Sequence, residues 1–293
     1  MGSFSILNNI SGLNAQNALN VNNVDLSRTL LRLSSGKRIN SGADDAAGLQ
    51  IADSLRANVY ALNQAIRNAN DGIGVAQIAD GALQEISNLL IRSVTLAEEA
   101  ATEAVDDTGR ASLQAEFDAI QAEIARIATQ TNFNGVKIFQ ADDGDAATAE
   151  LAGGLDVFVG DLSGASKITV TIASITADDT AGTATVGTSD LDTVDLTTQA
   201  TAETAFSVIQ GAISEVSNMR ASIGSGMNRL QSAVAVLQTQ SKNTAAAESV
   251  IRDANFAEEV ANLTKYQILA QSGISALAQA NANSQMVLSL LQL

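Results

Sequence analysis

The sequence contains no proline, cysteine, histidine or tryptophan among its 293 residues. At ordinary usage a chain of this length would hold roughly fifteen prolines, so their absence favours long helices without breaks. Without cysteine and histidine the chain can form no disulfide, no thiolate nucleophile, no zinc site with Cys or His ligands and no Ser-His dyad. We therefore expect no enzymatic activity, no cofactor and no metal site.

Charge is absent from both ends of the chain. The 32 acidic and 16 basic residues give a formal net charge of −16, and none of them lies within 1–24 or 266–293. An acidic chain lacks the clustered Lys and Arg that binding to nucleic acid requires. No run of about 18 apolar residues could span a bilayer, and the N-terminus lacks the segments of a signal peptide. We expect no nucleic-acid partner, no membrane insertion and export without a cleaved signal.

Both uncharged ends repeat apolar residues with the alternating spacing of three and four that is typical of a coiled-coil seam. The predicted seam of the head includes Ile6, Ile10, Leu13 and Val24, with Leu19, Leu26 and Leu33 on a neighbouring stripe. The predicted seam of the tail includes Val260, Leu263, Ile274, Leu277, Leu288 and Leu291. Because packing supplies most of the stability of a helix, we predict that each end folds only against a partner.

The apolar repeat is more regular in the part of the chain between the two uncharged ends. Eleven of thirteen seam positions from 55 to 97 are apolar, which predicts a helix over 45–100 that would be roughly 80 Å long. Further repeats at 206–237 and 113–127 predict a partner helix and a shorter third helix around a shared core. The glycine pairs at 72 and 74 and at 224 and 226 follow no strand, so we attribute them to close helix packing or bending.

The composition changes between 141 and 200, where eleven acidic residues accompany a single basic residue, Lys167. Alternating apolar residues at 155–160 and 167–172 predict two strands in this segment. The acidic cluster of Asp142, Asp143 and Asp145 lacks the ligand spacing of a calcium loop, which favours a solvated turn. The segment is therefore predicted to be a small, acidic, β-rich insertion.

Two long segments, about 1–140 and 205–293, carry a resemblance to a known family. The first includes LNNISGLNAQNALN, LSSGKRINSGADDAAGLQIADSLR and NFNGVKIF, and the second includes AISEVSNMRASIGSGMNRLQSAV and IRDANFAEEVANLTKYQILAQSGISALAQANANSQMVLSLL. In both segments the sequence resembles the bacterial flagellins. The resemblance implies a structural subunit that polymerises into the extracellular flagellar filament used for swimming.

Periodicity and resemblance together predict a mainly α fold, with long antiparallel coiled-coil helices from both termini and a small β-rich central insertion. The predicted domains are an N-terminal coiled-coil helix at 1–44, a rod-shaped helical domain at 45–140 and 201–250, the outer insertion at 141–200 and a C-terminal coiled-coil helix at 251–293. The resemblance implies that the terminal helices fold on assembly and line the inner layer of the filament, where the predicted seam residues would pack between subunits.

The resemblance also implies partners. These are other flagellin subunits, the filament cap, the hook-filament junction proteins and an export chaperone that binds near 256–293, with export by the flagellar type III system. It further implies contact with the Toll-like receptor for flagellin. Alignment of LIRSVTLA and AEIARIATQTNFNG with the family motif places Arg92, Leu96 and Glu123 on contact positions, although Ser93 and Val94 depart from that motif.

Two other kinds of protein share features with this sequence. A hook-filament junction protein has similar terminal patterns, and a membrane-active secretion translocator also has amphipathic ends. Interfacial helices usually carry Lys or Arg on their polar face, and the uncharged ends of this chain are unfavourable to the translocator. A zinc peptidase, which some flagellins carry in the central region, needs His ligands and is excluded.

Overall fold

Five α-helices make up most of the chain that the structure describes. They are α1 (Ile10–Ser35), α2 (Ala46–Ala101), α3 (Asp107–Gln130), α4 (Gln199–Arg252) and α5 (Phe256–Leu291). The structure is a computed structural model and describes residues 9–139, 151, 154–160, 167–178, 183–186 and 189–291. The three long inner helices predicted from the apolar repeats are confirmed. The 56 residues of α2 correspond to a length of about 84 Å.

Side chains and glycine define where these helices begin and end. Asn9 is the N-cap of α1 and accepts a hydrogen bond from the backbone N–H of Gly12, and Asp106 does the same for α3 through Gly109. Gly36, with φ of 71°, ends α1 in the left-handed conformation that glycine adopts without steric cost. Helix α1 therefore has local start and stop signals, and α3 a local start signal, in addition to their apolar period.

The contacts divide the chain into two units. Unit 1 comprises 1–59 and 242–293, and unit 2 comprises 60–241, so both boundaries fall inside long helices. The boundaries near 44/45 and 250/251 from the sequence analysis stay predictions. Unit 1 contains 8 acidic and 8 basic residues and unit 2 contains 24 acidic and 8 basic residues, so the whole net charge belongs to unit 2. None of the described helices is long and apolar enough to cross a membrane.

Unit 2 has an aliphatic core with few aromatic residues. Its fully buried side chains include Leu83, Leu90, Phe117, Ile124 and Phe139. Polar contacts join α2 to α4 at two levels: Arg220 Nε donates to Asp80 Oδ1 at 2.8 Å, and Ser241 Oγ donates to Asn63 Oδ1 at 3.1 Å. The three inner helices thus share one core, as the repeats predict.

The described residues also form seven short strands. A hairpin of β1 (Asn132–Phe133) and β2 (Val136–Lys137) follows α3, and β3 (Leu155–Phe158) pairs antiparallel with β4 (Lys167–Val170). The third sheet has the order β5-β6-β7 and is built from β5 (Ile175–Asp178), β6 (Thr183–Val186) and β7 (Ser189–Asp190). The two predicted strands are confirmed as β3 and β4, and the acidic cluster at 142–145 lies outside the described residues.

The insertion packs its apolar face onto the helices of unit 2. A Cβ at Gly72 of α2 would lie 2.5 Å from Val157 Cγ2 of β3, and a Cβ at Gly226 of α4 would lie 2.7 Å from Val170 Cγ1 of β4. The close approach predicted at these two glycines is therefore made chiefly by valines of the β3-β4 hairpin, and bending of the helices there stays a prediction. A Cβ at Gly74 would have no neighbour within 4 Å.

We expect Gly72→Ala to lower the free energy of unfolding of unit 2 by about 1–3 kcal/mol, because the new methyl group overlaps Val157 and forces β3 to move. Gly74→Ala is the matched control, since it adds a methyl group into open space and removes a glycine from a helix interior. It should raise the free energy of unfolding by about 0.5–1 kcal/mol. Chemical denaturation followed by circular dichroism measures both, and equal stabilities would contradict the packing described.

Candidate subunit-packing surface

Helices α1 and α5 lie side by side in opposite directions within unit 1. Asn9 Nδ2 donates to the carbonyl oxygen of Ala280 at 3.2 Å, and Asn22 Nδ2 donates to that of Tyr266 at 2.9 Å. Cα atoms of the two helices approach within 8 Å along the pair. The N-terminal and C-terminal helices of one chain therefore form an antiparallel pair.

One stripe of each helix faces the other helix, and we call these two stripes the inner seam. Its residues are buried or half-buried and recur every three or four positions. On α1 they are Gly12, Ala15, Leu19, Asn22, Leu26, Thr29 and Leu33, and on α5 they are Glu259, Leu263, Tyr266, Ala270, Gly273, Leu277 and Ala280. Many of these side chains are small or polar. The helices can approach closely for that reason, and five leucines and Tyr266 supply the larger apolar contacts of the seam.

Large apolar side chains lie elsewhere on the same helices, and we call them the outer stripes. Each is between 46% and 67% exposed. They are Ile10, Leu13, Val21, Val24, Leu30 and Leu31 on α1 and Phe256, Val260, Ile268, Leu269 and Ile274 on α5. Single exposed apolar residues are normal, but eleven of them on two neighbouring helices are typical of an interaction surface.

The structure separates the residues of the predicted seams. Ile10, Leu13 and Val24 of the head and Val260 and Ile274 of the tail lie on the outer stripes, where a partner could cover them.

The other predicted seam residues have different positions. Leu263 and Leu277 lie half-buried on the inner seam, opposite α1 of the same chain, and their packing between subunits stays a prediction. Ile6 lies outside the described residues, and so do the side chains of Leu288 and Leu291. The inner seam of α1 instead contains Leu19, Leu26 and Leu33. The sequence indicated this seam through the apolar spacing of these three residues on a neighbouring stripe.

Charges in unit 1 cluster at one end of the helix pair, within 25–59 and 242–265. Arg32 lies 3.5 Å from Glu259 and 3.9 Å from Asp44. The pKa of Asp44 is lowered, chiefly because the backbone N–H of Ser41 donates a hydrogen bond to its carboxylate at 3.0 Å. The rest of the helix pair carries no charged side chain, so most of the outer stripes can be crowded by other chains without repulsion between charges.

The residues predicted to contact an immune receptor lie in unit 2. Arg92 is exposed and donates to Glu116 Oε1 of α3 through Nε at 3.0 Å and Nη2 at 2.7 Å. Glu123 is paired with Arg126, whose hydrogen bond lowers the pKa of the glutamate carboxyl. Leu96 is fully buried in the core. The prediction of a surface contact is therefore wrong for Leu96, which presents no area to a partner.

Sequence comparisons cover nearly the whole chain. The family model of the bacterial flagellin N-terminal helical region matches residues 6–143, and that of the bacterial flagellin C-terminal helical region matches residues 206–291. Flagellin FlaB1 of Treponema pallidum is 33% identical over 98% of this chain and 99% of its own length. A flagellin of Halalkalibacterium halodurans is 35% identical over 98% of this chain and 99% of its own length.

A solved structure is also similar. The crystal structure of Bacillus cereus flagellin is 29% identical in sequence and aligns with a TM-score of 0.49. The alignment covers 62% of this chain and 94% of that chain.

Proposed function

The chain belongs to the bacterial flagellin family and is a structural subunit of the flagellar filament, and we propose that its outer stripes are the surfaces through which copies pack. The exposure of eleven large apolar side chains on α1 and α5 supports this proposal. Full burial of one such side chain stabilises by about 1.5–3 kcal/mol. Covering the outer stripes would therefore add a large apolar contribution to the stability of the helix pair.

The terminal helices then fold as the chain joins the filament. An isolated helix pair with a thin apolar seam is marginally stable, because ordering its backbone costs about 1–2 kcal/mol per residue. Contact with neighbouring chains supplies the missing burial, and folding becomes coupled to assembly. The supporting features are the small residues of the inner seam and the exposed apolar residues of the outer stripes.

The charge distribution supports the same proposal. Unit 1 has no formal net charge and unit 2 carries −16. Like charges repel strongly where water is excluded, so unit 1 suits the crowded centre of a polymer and unit 2 suits its solvated outside. A contact between different surfaces of identical chains that does not close into a ring generates a helical filament.

The remaining partners are part of the proposal. The exposed apolar residues of α5 support an export chaperone that covers 256–293 before assembly, and the filament cap and the hook-filament junction proteins would meet the same helices. The chain would be exported by the flagellar type III system without a cleaved signal and act outside the cell. Its role is structural rather than enzymatic, as in the family to which it belongs.

We expect Ile274→Glu to raise the critical concentration for polymerisation by at least about a hundredfold, because an unpaired buried charge costs about 3 kcal/mol or more. The matched control is Gln279→Glu, which adds the same charge to an exposed polar position on a different side of α5 and should have a smaller effect. Sedimentation of polymer at increasing protein concentration measures both. Unchanged polymerisation of Ile274→Glu would contradict packing through the outer stripes.

A second candidate role is recognition by the innate immune receptor for flagellin. It is favoured by the positions of Arg92 and Glu123: Arg92 reaches Glu116, which lies two helical turns from Glu123 on α3. We expect Arg92→Ala to reduce receptor activation at least about tenfold if this surface is a binding hot spot. Arg229→Ala, at an exposed arginine of α4, is the control in a receptor reporter assay. Equal activation by both variants would contradict the role.

A further inference from the structure

The connection after α1 is hydrogen-bonded to the connection before α5. The backbone N–H of Arg38 donates to the carbonyl oxygen of Arg252 at 2.7 Å, and that of Ala254 donates to the carbonyl oxygen of Gly36 at 3.0 Å. The ring of Phe256 lies 3.8 Å from the position of a Cβ at Gly36. These contacts fix the end of one terminal helix beside the start of the other.

An ion pair adds to these backbone contacts. Arg32 lies between Asp44, at 3.9 Å, and Glu259, at 3.5 Å. Glu259 is only 7% exposed, and a carboxylate this buried requires a charged or hydrogen-bonding partner. We call the contacting segments 32–44 and 251–259 the latch.

The inner seam cannot by itself fix how far α1 is displaced along α5. Its positions repeat every seven residues on both helices, so a shift of seven residues again places seam against seam. A further contact must therefore select one register.

A shift of seven residues is unfavourable at the latch in both directions. In one direction Glu259 would face Asp25, which brings like charges together, and Arg32 would face residues before the start of α5. In the other direction Glu259 would face Ile39, beyond the end of α1, and its buried charge would lose Arg32. The native register is the one in which Arg32 and Glu259 meet.

We propose that the latch sets the register of α1 against α5 and so decides which apolar residues of the two helices face other subunits. The inference rests on the proposed packing role of the outer stripes. A seven-residue shift would displace the outer stripe of α1 along that of α5 by about 10 Å. Neighbouring chains would then meet a different surface.

Engineered disulfides can report the register, because the chain has no cysteine of its own. Leu19 Cβ lies 3.9 Å from the position of a Cβ at Gly273, within the range that a disulfide requires. The pair Leu19→Cys with Gly273→Cys should therefore form a bond in the native register. The pairs Leu26→Cys with Gly273→Cys and Leu19→Cys with Tyr266→Cys should form a bond only after a shift of seven residues in one direction or the other.

The test combines these pairs with Glu259→Gln in filaments grown from a large excess of the cysteine-free chain. Because the cysteine variant is diluted in this excess, two variant chains rarely meet and the disulfides form within one chain. The excess also carries into filaments those variants that do not polymerise alone. We expect Glu259→Gln to raise the ratio of shifted to native disulfide roughly tenfold, the effect of losing one charged contact. Glu258→Gln, which removes the same charge at the exposed neighbouring position, should leave the ratio unchanged.

Two results would overturn the latch while the proposed function stands. They are a Glu259→Gln ratio no higher than that of Glu258→Gln, and failure of the native cysteine pair to bond inside filaments. Failure of the unmodified chain to polymerise would instead contradict the proposed function.

Discussion

The close approach of α1 and α5 is the constraint on which the remaining features depend. Glycine, alanine and short polar residues at the inner seam, such as Gly12, Ala270 and Gly273, let the two helices pack within 8 Å. Eleven large apolar residues of the two helices nevertheless stay exposed. Apolar side chains exposed in this number on two neighbouring helices are typical of a surface that other chains cover.

The distribution of charge follows from that constraint. A surface to be buried among identical chains must avoid charge, and the uncharged stretches 1–24 and 266–293 satisfy this condition. Unit 2 carries the net charge of −16, which keeps it solvated. Its β3-β4 hairpin lies against Gly72 and Gly226, so the insertion is part of the helical core of unit 2.

The sequence predicts the helices and the β3-β4 strands well, because apolar period and turn residues are local signals. It does not identify which of two stripes is used within the chain: Ile10 and Leu19 belong to repeats of the same period, and the difference depends on where α5 lies. The contact of Val157 with Gly72 joins residues distant in sequence, so no local pattern reveals it. For Leu96, the family motif gives a position but not its burial.

Hydrogen exchange of the free chain and of the filament tests most directly whether the terminal helices depend on neighbouring chains. We expect backbone amides of α1 and α5 to exchange rapidly in the free chain and slowly in the filament. Amides of α2 and α4 within unit 2 should be protected in both states. Strong protection of α1 and α5 in the free chain would contradict the account, because the inner seam would then be sufficient to hold the pair together.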